Sequence, residues 1–366
     1  MLGKMMSTQY KMHGNDKDQS ERLCSPALMC LASEDHTLRS DEEVSFEDDV
    51  ASALLDSAPM RRLAGIGFLG AIDYVRKGSG RDAHRRRHNR REHSIGVAKL
   101  VETFALEMEM GVQERRTLVC AALLHDVGHG PLSHTLEQIF ENRFGINHHR
   151  TTRNIIEGQS RFGSDTLEIL RAFQVDPDAV LALIEGENVG QYGFLFSGPI
   201  NVDTLEGITR CRAFVGPRPA FGTARAAVRR WATSGRMPTN DFDEFWSLKN
   251  SVYNLVINAP IGRLLDTVAQ SYMETNIDRF APNDFLKTEK SFRASHRELF
   301  EYLGIVLKRK NSLRDILPRK WLDVDVKISE RSFFIDDSVE LLSAHQSSAR
   351  YKQSRNSYSV KLQELV

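Results

Sequence analysis

Hydrophobic positions along this 366-residue chain recur mostly at helical spacing. From Asp56 the texture is mixed apolar and charged, DSAPMRRLAGIGFLGAIDYV, and the ordered domain is expected to start there. In SIGVAKLVETFALEMEM, apolar residues fall at Ile95, Val97, Leu100, Val101, Phe104 and Met108, which is one buried face of a helix. Arg115 to Leu124 reads as a second helix, more uniformly apolar and so more buried, and Gly128, Gly130 and Pro131 break it. After Phe144 the segments TTRNIIEG, TLEILRAF and DAVLALIEG keep the helical pattern. Val202, Leu205, Ile208, Cys211 and Phe214 form an apolar stripe at the same spacing. Residues 241–280 read as two helices meeting near Pro260.

Strand signals are weak until WLDVDVKI and RSFFIDD, whose alternation fits short strands near the C-terminus. Beyond Ala344 the chain is rich in Ser and polar residues, and this tail is expected to fray. The pattern therefore predicts a mainly α protein with a small C-terminal β element. Residues 1–50 read as a polar, acidic, flexible arm, 51–280 as the main domain, 281–343 as an α/β extension and 344–366 as a polar tail.

Composition narrows the classes. Hydrophobic residues make up 41% of the chain, enough to bury a core. Lys and Arg number 49, Asp and Glu also 49, a balance that argues against a general nucleic-acid coat. No apolar run approaches the ~18 residues a membrane helix needs. The N-terminus lacks a continuous apolar stretch of the signal-peptide kind. The four cysteines (Cys24, Cys30, Cys120 and Cys211) are too sparse for a disulfide scaffold and form no CxxC pair. A cytoplasmic protein with reduced thiols, away from membranes, is the expectation.

Histidine changes the picture. Eight of the twelve lie between His84 and His149. Candidate metal ligands stand in four segments: Arg-Glu-His ending at His93, His125-Asp126, the His129 to His134 stretch, and Asp203. His93 starts the first helix and His125-Asp126 ends the next, so antiparallel packing would join those termini. Two imidazoles and two carboxylates suit a divalent ion of borderline hardness, Fe, Mn, Zn, Co or Ni. A lone histidine is ordinarily a packing or surface residue. HDVGHGPLSH, however, sets three histidines and an aspartate directly after the apolar run LVCAALL. Burying so many polar groups without a partner is costly, and a metal or anion site relieves that cost. Upstream, six arginines fall between Arg81 and Arg91. They suit either a solvated basic loop or a patch for a phosphate-bearing ligand.

The order His93, His125-Asp126, Asp203 resembles the H…HD…D signature of the HD superfamily of metal-dependent phosphohydrolases. HDVGHGPLSHTLE is similar to the HD-x-GH-x-P-x-SH stretch of its deoxynucleoside triphosphate triphosphohydrolase branch, with Glu137 as the acidic residue that follows. HNRREHSIGV and DSAPMRRLAGIGFLG resemble that branch's flanking segments, so the likeness runs from about Asp56 to Met273. The resemblance implies an HD-domain helical bundle with additional helices. It implies one divalent metal ion per chain, Mg included among the candidates, held by His93, His125, Asp126 and Asp203. Arg90 and Lys249 would bind substrate phosphate. His129, His134 and Glu137 would serve catalysis beside it. The family's further histidine matches His148, which puts Thr152 and Ile155 at the family's next positions; His149 is the competing choice.

Departures from the family lie on the substrate side. Asp203-Thr204-Leu205-Glu206-Gly207 lacks the family's basic residue and tyrosine, which contact phosphate and sugar. Phe68 stands where the family has a sugar-reading Gln, Lys249 replaces an arginine, and Ile257 and Asn258 fall near its tyrosine positions. The metal machinery is thus expected to be kept and the substrate pocket rebuilt. The leading expectation is hydrolysis of (deoxy)nucleoside triphosphates through a metal-activated water. Another phosphoester, a nucleic-acid end, or a non-catalytic nucleotide sensor are the alternatives. Alarmone hydrolases and cyclic-dinucleotide phosphodiesterases fit less well, because the Glu-Asp and Gly-Tyr-Pro motifs of those branches are missing. A nucleotide or other phosphorylated substrate and a homo-oligomer are the expected partners. Nucleic acid binding through Arg85–Arg91 is possible but not favoured.

Overall fold

The computed structural model describes residues 45–75, 88–186, 191–215, 222–308 and 313–365. Helix α1 (Asp49–Leu55) comes first. The Asp48 carboxylate accepts from the Val50 amide and satisfies one of the N–H groups left open at the helix start. Val50, Ala51 and Leu54 are fully buried, and Arg116 donates to Asp48 at 2.7 Å. The ordered domain therefore begins before Asp56, and α1 crosses the expected boundary at residue 50. The short apolar run VASALL directly follows an acidic stretch. Most of that arm, and the arginines from Arg81 to Arg87, lie outside the described residues.

Helices α2 (Ala58–Leu63), α3 (Arg90–Glu107) and α4 (Val112–Leu124) follow. The Asn89 side chain caps α3 by accepting from the Glu92 amide. Every residue of α4 from Leu118 to Leu124 is buried, as its uniformly apolar sequence predicts. Next come α5 (His134–Phe144), α6 (His148–Ile156), α7 (Asp165–Ala172) and α8 (Pro177–Ile184). Helix α9 (Val202–Val215) buries Val202, Leu205, Ile208 and Cys211, the stripe read from the sequence; the Phe214 side chain lies outside the described residues. Helices α10 (Ala224–Ser234), α11 (Thr239–Val252) and α12 (Pro260–Thr275) continue the pattern. A wide helical turn, Tyr253–Ile257, links the last two, and Pro260 suits the start of α12 because its missing N–H costs nothing there. Helices α13 (Glu289–Ser295) and α14 (Arg297–Lys308) complete the larger helices. No helix among the described residues is long and apolar enough to cross a membrane.

The β element is one antiparallel pair. β1 (Asp325–Ile335) runs through both segments read as short strands, and β2 (Tyr351–Lys361) pairs with it from Asp325↔Lys361 to Ile335↔Tyr351. The polar tail after Ala344 thus forms a strand rather than fraying. Its side chains are mostly exposed, so its order comes from the backbone ladder, which polarity does not reveal. The C-terminal residues share one core with the helices: Ala71, Leu132, Phe140, Leu265, Phe285, Trp321, Ile328 and Leu362 belong to a single buried cluster.

Candidate metal centre and histidine cluster

Residues after α4 turn tightly before α5 begins. Leu132 and Ser133 adopt left-handed backbone, with φ of 58° and 44°. Such conformations cost about 1–3 kcal/mol each outside glycine and persist only where the surroundings enforce them. Leu132 is fully buried, and Ser133 donates from Oγ to the Gly67 carbonyl at 2.7 Å. Arg62, itself buried, donates from Nη2 to the carbonyls of Val127 (2.9 Å) and His129 (2.6 Å). Burial, then the Arg161 charge, push its guanidinium down to about 10. Gly128 explains itself by contact: a Cβ there would lie 2.2 Å from the His148 carbonyl oxygen and 2.5 Å from the Thr152 amide.

This turn brings four expected residues together. His93 Nε2 lies 2.9 Å from Asp203 Oδ1 and 3.6 Å from Asp126 Oδ2. His125 Nε2 lies 3.4 Å from Asp126 Oδ2 and 3.7 Å from Asp203 Oδ1. The His125 Nδ1–H donates to the Ala122 carbonyl at 2.8 Å, so Nε2 points inward and offers a lone pair once its proton is lost. That Nε2 is buried and makes no hydrogen bond. His93 is fixed the same way, its Nδ1 bonded to Glu206. Burial opposes a charged His125 ring, but Asp126 and Asp203 outweigh it and hold the pKa well above the usual value. His93 is also raised: against burial stand the Glu206 charge and the bonds from Asp203 and Glu206. The carboxylates demand a cation here, and the inward nitrogen lone pairs suit a divalent metal. The donor set fits the ion expected from the sequence. The Asp203 side chain is 56% exposed, which leaves the centre open on that side.

Arg90 pairs from Nη1 with Asp126 Oδ2 and donates from Nε to Ser133 Oγ at 3.0 Å. Its guanidinium also lies over the Phe68 ring, 5.5 Å from the centroid. Burial works to raise the Asp126 pKa, yet the charges of Arg90, His125 and His129 hold it well below the usual carboxylate range.

A second group stands beside the first. Donor atoms of His129, His134, Glu137 and His148 all lie within 4.8 Å of one another. Glu137 accepts from His134 Nδ1 at 2.9 Å and bonds His148 at Nδ1 and at its backbone amide. The His129 ring stacks on His148 at 4.1 Å and meets His134 edge-on at 4.7 Å. His148, not His149, joins this group; His149 is exposed and lies against the His148 ring. Burial and the Arg90 charge hold His129 well below its ordinary pKa, so its ring is neutral. Glu137 is held low by its two imidazoles despite partial burial, so it stays an anion.

Lys249 lies apart from these carboxylates. Its Nζ sits over the Trp246 ring at 4.4 Å and reaches the Pro199 carbonyl at 3.4 Å, four residues before Asp203. Sequence reasoning had assigned no role to Ser133 or Arg62, and had noted Glu206 only in a departure from the family pattern. For Glu206 a signal existed: it stands three residues after Asp203, on the same helix face. Gly207 and Phe68, two of the departures from the family pattern, border the same space. A Cβ at Gly207 would lie 3.2 Å from Phe68 Cζ and 3.6 Å from His93 Cε1, and the Phe68 ring lies 4.6 Å from the His93 ring.

Residues 90–189 match the family model of the HD domain, so the chain carries an HD domain. The match includes three of the four expected ligands and ends before Asp203. The uncharacterized protein YwfO of Bacillus subtilis is 31% identical over 178 residues, 47% of this chain and 38% of that protein. The deoxynucleoside triphosphate triphosphohydrolase SAMHD1 of Gallus gallus is 29% identical over 167 residues, 42% of this chain and 24% of that protein. The uncharacterized protein MJ1154 of Methanocaldococcus jannaschii is 22% identical over 322 residues, 81% of this chain and 62% of that protein. The similarity covers less than two thirds of each of these relatives.

Proposed function

We propose that this chain is a metal-dependent phosphohydrolase acting on a nucleotide, with (deoxy)nucleoside triphosphates as the leading substrates. The observation that carries the reading is the convergence of His93 Nε2, His125 Nε2, Asp126 and Asp203 around a buried nitrogen without a hydrogen-bond partner. A divalent ion held by those four residues would lower the pKa of water and polarise a phosphoryl oxygen.

The other roles fall to the chain's own groups. Glu206 holds His93 and leaves its Nε2 for the ion. Arg90 orients Asp126 and adds positive charge where a phosphoryl group gathers negative charge. Glu137 fixes His134 and His148 through their Nδ1 atoms, which leaves each Nε2 to move a proton. His129 is neutral and suits an acceptor better than a donor. His134, with a side chain 64% exposed, is the better placed donor for a leaving oxygen that arrives from solvent. The activity for which SAMHD1 is named supports the triphosphate substrate, whereas the closeness of Phe68 to Gly207 favours a rebuilt sugar pocket.

The test is a metal-by-substrate screen with product identification, repeated on Asp126→Ala. Triphosphate, pyrophosphate and orthophosphate as products separate the candidate reactions. The variant should lose both metal and hydrolysis, and full metal occupancy in it would sink the ligand assignment.

A further inference from the structure

Lys249 and Arg331 are two basic groups that come from different parts of the fold. Lys249 is 8% exposed on α11. Among the described residues no carboxylate lies within ion-pair distance of either one. On β1, alternation puts Arg331 and Phe333 on one face. The Lys249 Nζ lies 5.0 Å from the Phe333 ring centroid, the Phe333 and Tyr253 rings are 4.6 Å apart, and the Arg331 guanidinium lies 6.0 Å from the Tyr253 ring. An aromatic pair thus separates two like charges.

This stretch of strand is pinned to the helices. Asn258 donates to the Arg331 carbonyl at 3.2 Å, the Phe333 amide donates to Asn250 at 3.1 Å, and Trp246 Nε1 donates to the Phe334 carbonyl at 3.1 Å. Across the hairpin Arg331 faces Arg355, and like charges placed opposite each other destabilise a ladder. Arg355 turns to Ser329, donating at 2.7 Å, which leaves Arg331 to its own side. Burial, then the Arg331 charge, push the Lys249 ammonium down to about 8, while the Asp203 charge acts the other way. Lys249, which reaches the Pro199 carbonyl four residues before Asp203, therefore sits within electrostatic reach of that carboxylate, and Arg331 within reach of Lys249.

We infer that Arg331 of the C-terminal hairpin binds substrate phosphate together with Lys249, forming a cationic subsite for the distal groups of a di- or triphosphate. The inference rests on the phosphohydrolase reading for the placement of the proximal phosphate. It supplies from a distant strand the positive charge that Thr204 lacks beside the last ligand. A phosphate monoester would be served by the metal and Arg90 alone. Two further cations suit a polyphosphate chain, and the planar guanidinium fork suits its oxygens.

The experiment is calorimetric titration of the Mn(II)-loaded full chain with inorganic triphosphate and with orthophosphate. Arg331→Met, Arg331→Lys and Arg355→Met are compared with the parent, with metal content and thermal unfolding measured on each. Arg331→Met should weaken triphosphate binding about tenfold or more, the loss of one charge-assisted contact. Arg331→Lys should lose less, and orthophosphate affinity and metal content should hold. Arg355→Met should bind as the parent does. Triphosphate affinity within about twofold of the parent in Arg331→Met would overturn the inference, as would an equal loss in Arg355→Met or no binding by the parent. Hydrolysis by the parent with an unchanged KM in Arg331→Met would overturn this subsite and leave the phosphohydrolase reading standing. Arg331-dependent triphosphate binding without hydrolysis of any substrate would do the reverse.

Discussion

Gly128→Ala should damage the protein although it adds a single methyl group. The new Cβ would sit 2.2 Å from the His148 carbonyl oxygen and 2.5 Å from the Thr152 amide nitrogen. Both partners are backbone, so no side chain can swing aside. The turn and the start of α6 must separate by about 1 Å to reach ordinary contact. Forced overpacking of this kind costs about 1–3 kcal/mol. The Gly128 amide also donates to Thr152 Oγ1 at 3.0 Å, and losing that buried bond adds about 1 kcal/mol. The sum, about 2–4 kcal/mol, corresponds to a fall in Tm of roughly 3–6 °C for a unit of this size. His148 moves with α6, and a shift of that size can cost about a hundredfold in rate. Differential scanning calorimetry and hydrolysis kinetics measure both effects. Gly304→Ala is the matched control, because nothing lies within 4 Å of a Cβ there and the site is helical. That change should stabilise by about 0.5–1 kcal/mol. A Gly128→Ala protein as stable and as active as the parent would refute the contact argument.

Two further outcomes follow from the site. Gly207→Tyr alone should lower both stability and activity, since Phe68 already fills the space; pairing it with Phe68→Gln should recover part of the loss and favour deoxynucleoside triphosphates. A double-mutant cycle should show coupling of about 1 kcal/mol or more, and additive effects would count against the contact. Metal affinity should rise with pH. His93 and His125 have raised pKa values without metal, so protons occupy them as pH falls and must leave before an ion binds. Competition titrations between about pH 6 and 8 should show protons released on binding, and a flat profile would contradict the ligand assignment.

The local part of the site was legible because its chemistry is contiguous in the chain. HDVGHGPLSH announces itself by placing polar groups directly after a buried helix, and the helix ends bearing His93 and His125 do meet. Glu206 and Ser133 were harder to see. Each acts through a partner distant in sequence: Glu206 through His93, Ser133 through Arg90 and Gly67. Helix α1 was missed because four buried residues stand beside a run of acids. Strand β2 was missed because YKQSRNSYSVK carries little alternation; its pairing with β1 is a backbone property. Phe68 and Gly207 were each legible as departures, but only the fold shows that one ring occupies the space the other position leaves.

Charge links the two halves of the site. Around His93 and His125 the carboxylates of Asp126, Asp203 and Glu206 outnumber the paired cations, since Arg90 answers Asp126 and Arg210 answers Glu206. That half calls for a cation. Lys249 and Arg331, set on aromatic faces and in no ion pair among the described residues, call for an anion. A divalent ion alone would satisfy the first demand and leave the second. A free phosphate near Lys249 would satisfy the second and leave the first. A phosphate chain reaching from a bound ion to the two cations meets both together, and binding energy gained at the distal groups can then position the phosphoryl group that reacts. On that account Lys249 and Arg331 should matter more for substrates with several phosphates than for monoesters. On this reading a chain of zero formal net charge carries a strongly polarised site, assembled from the HD motif and a strand more than a hundred residues beyond it.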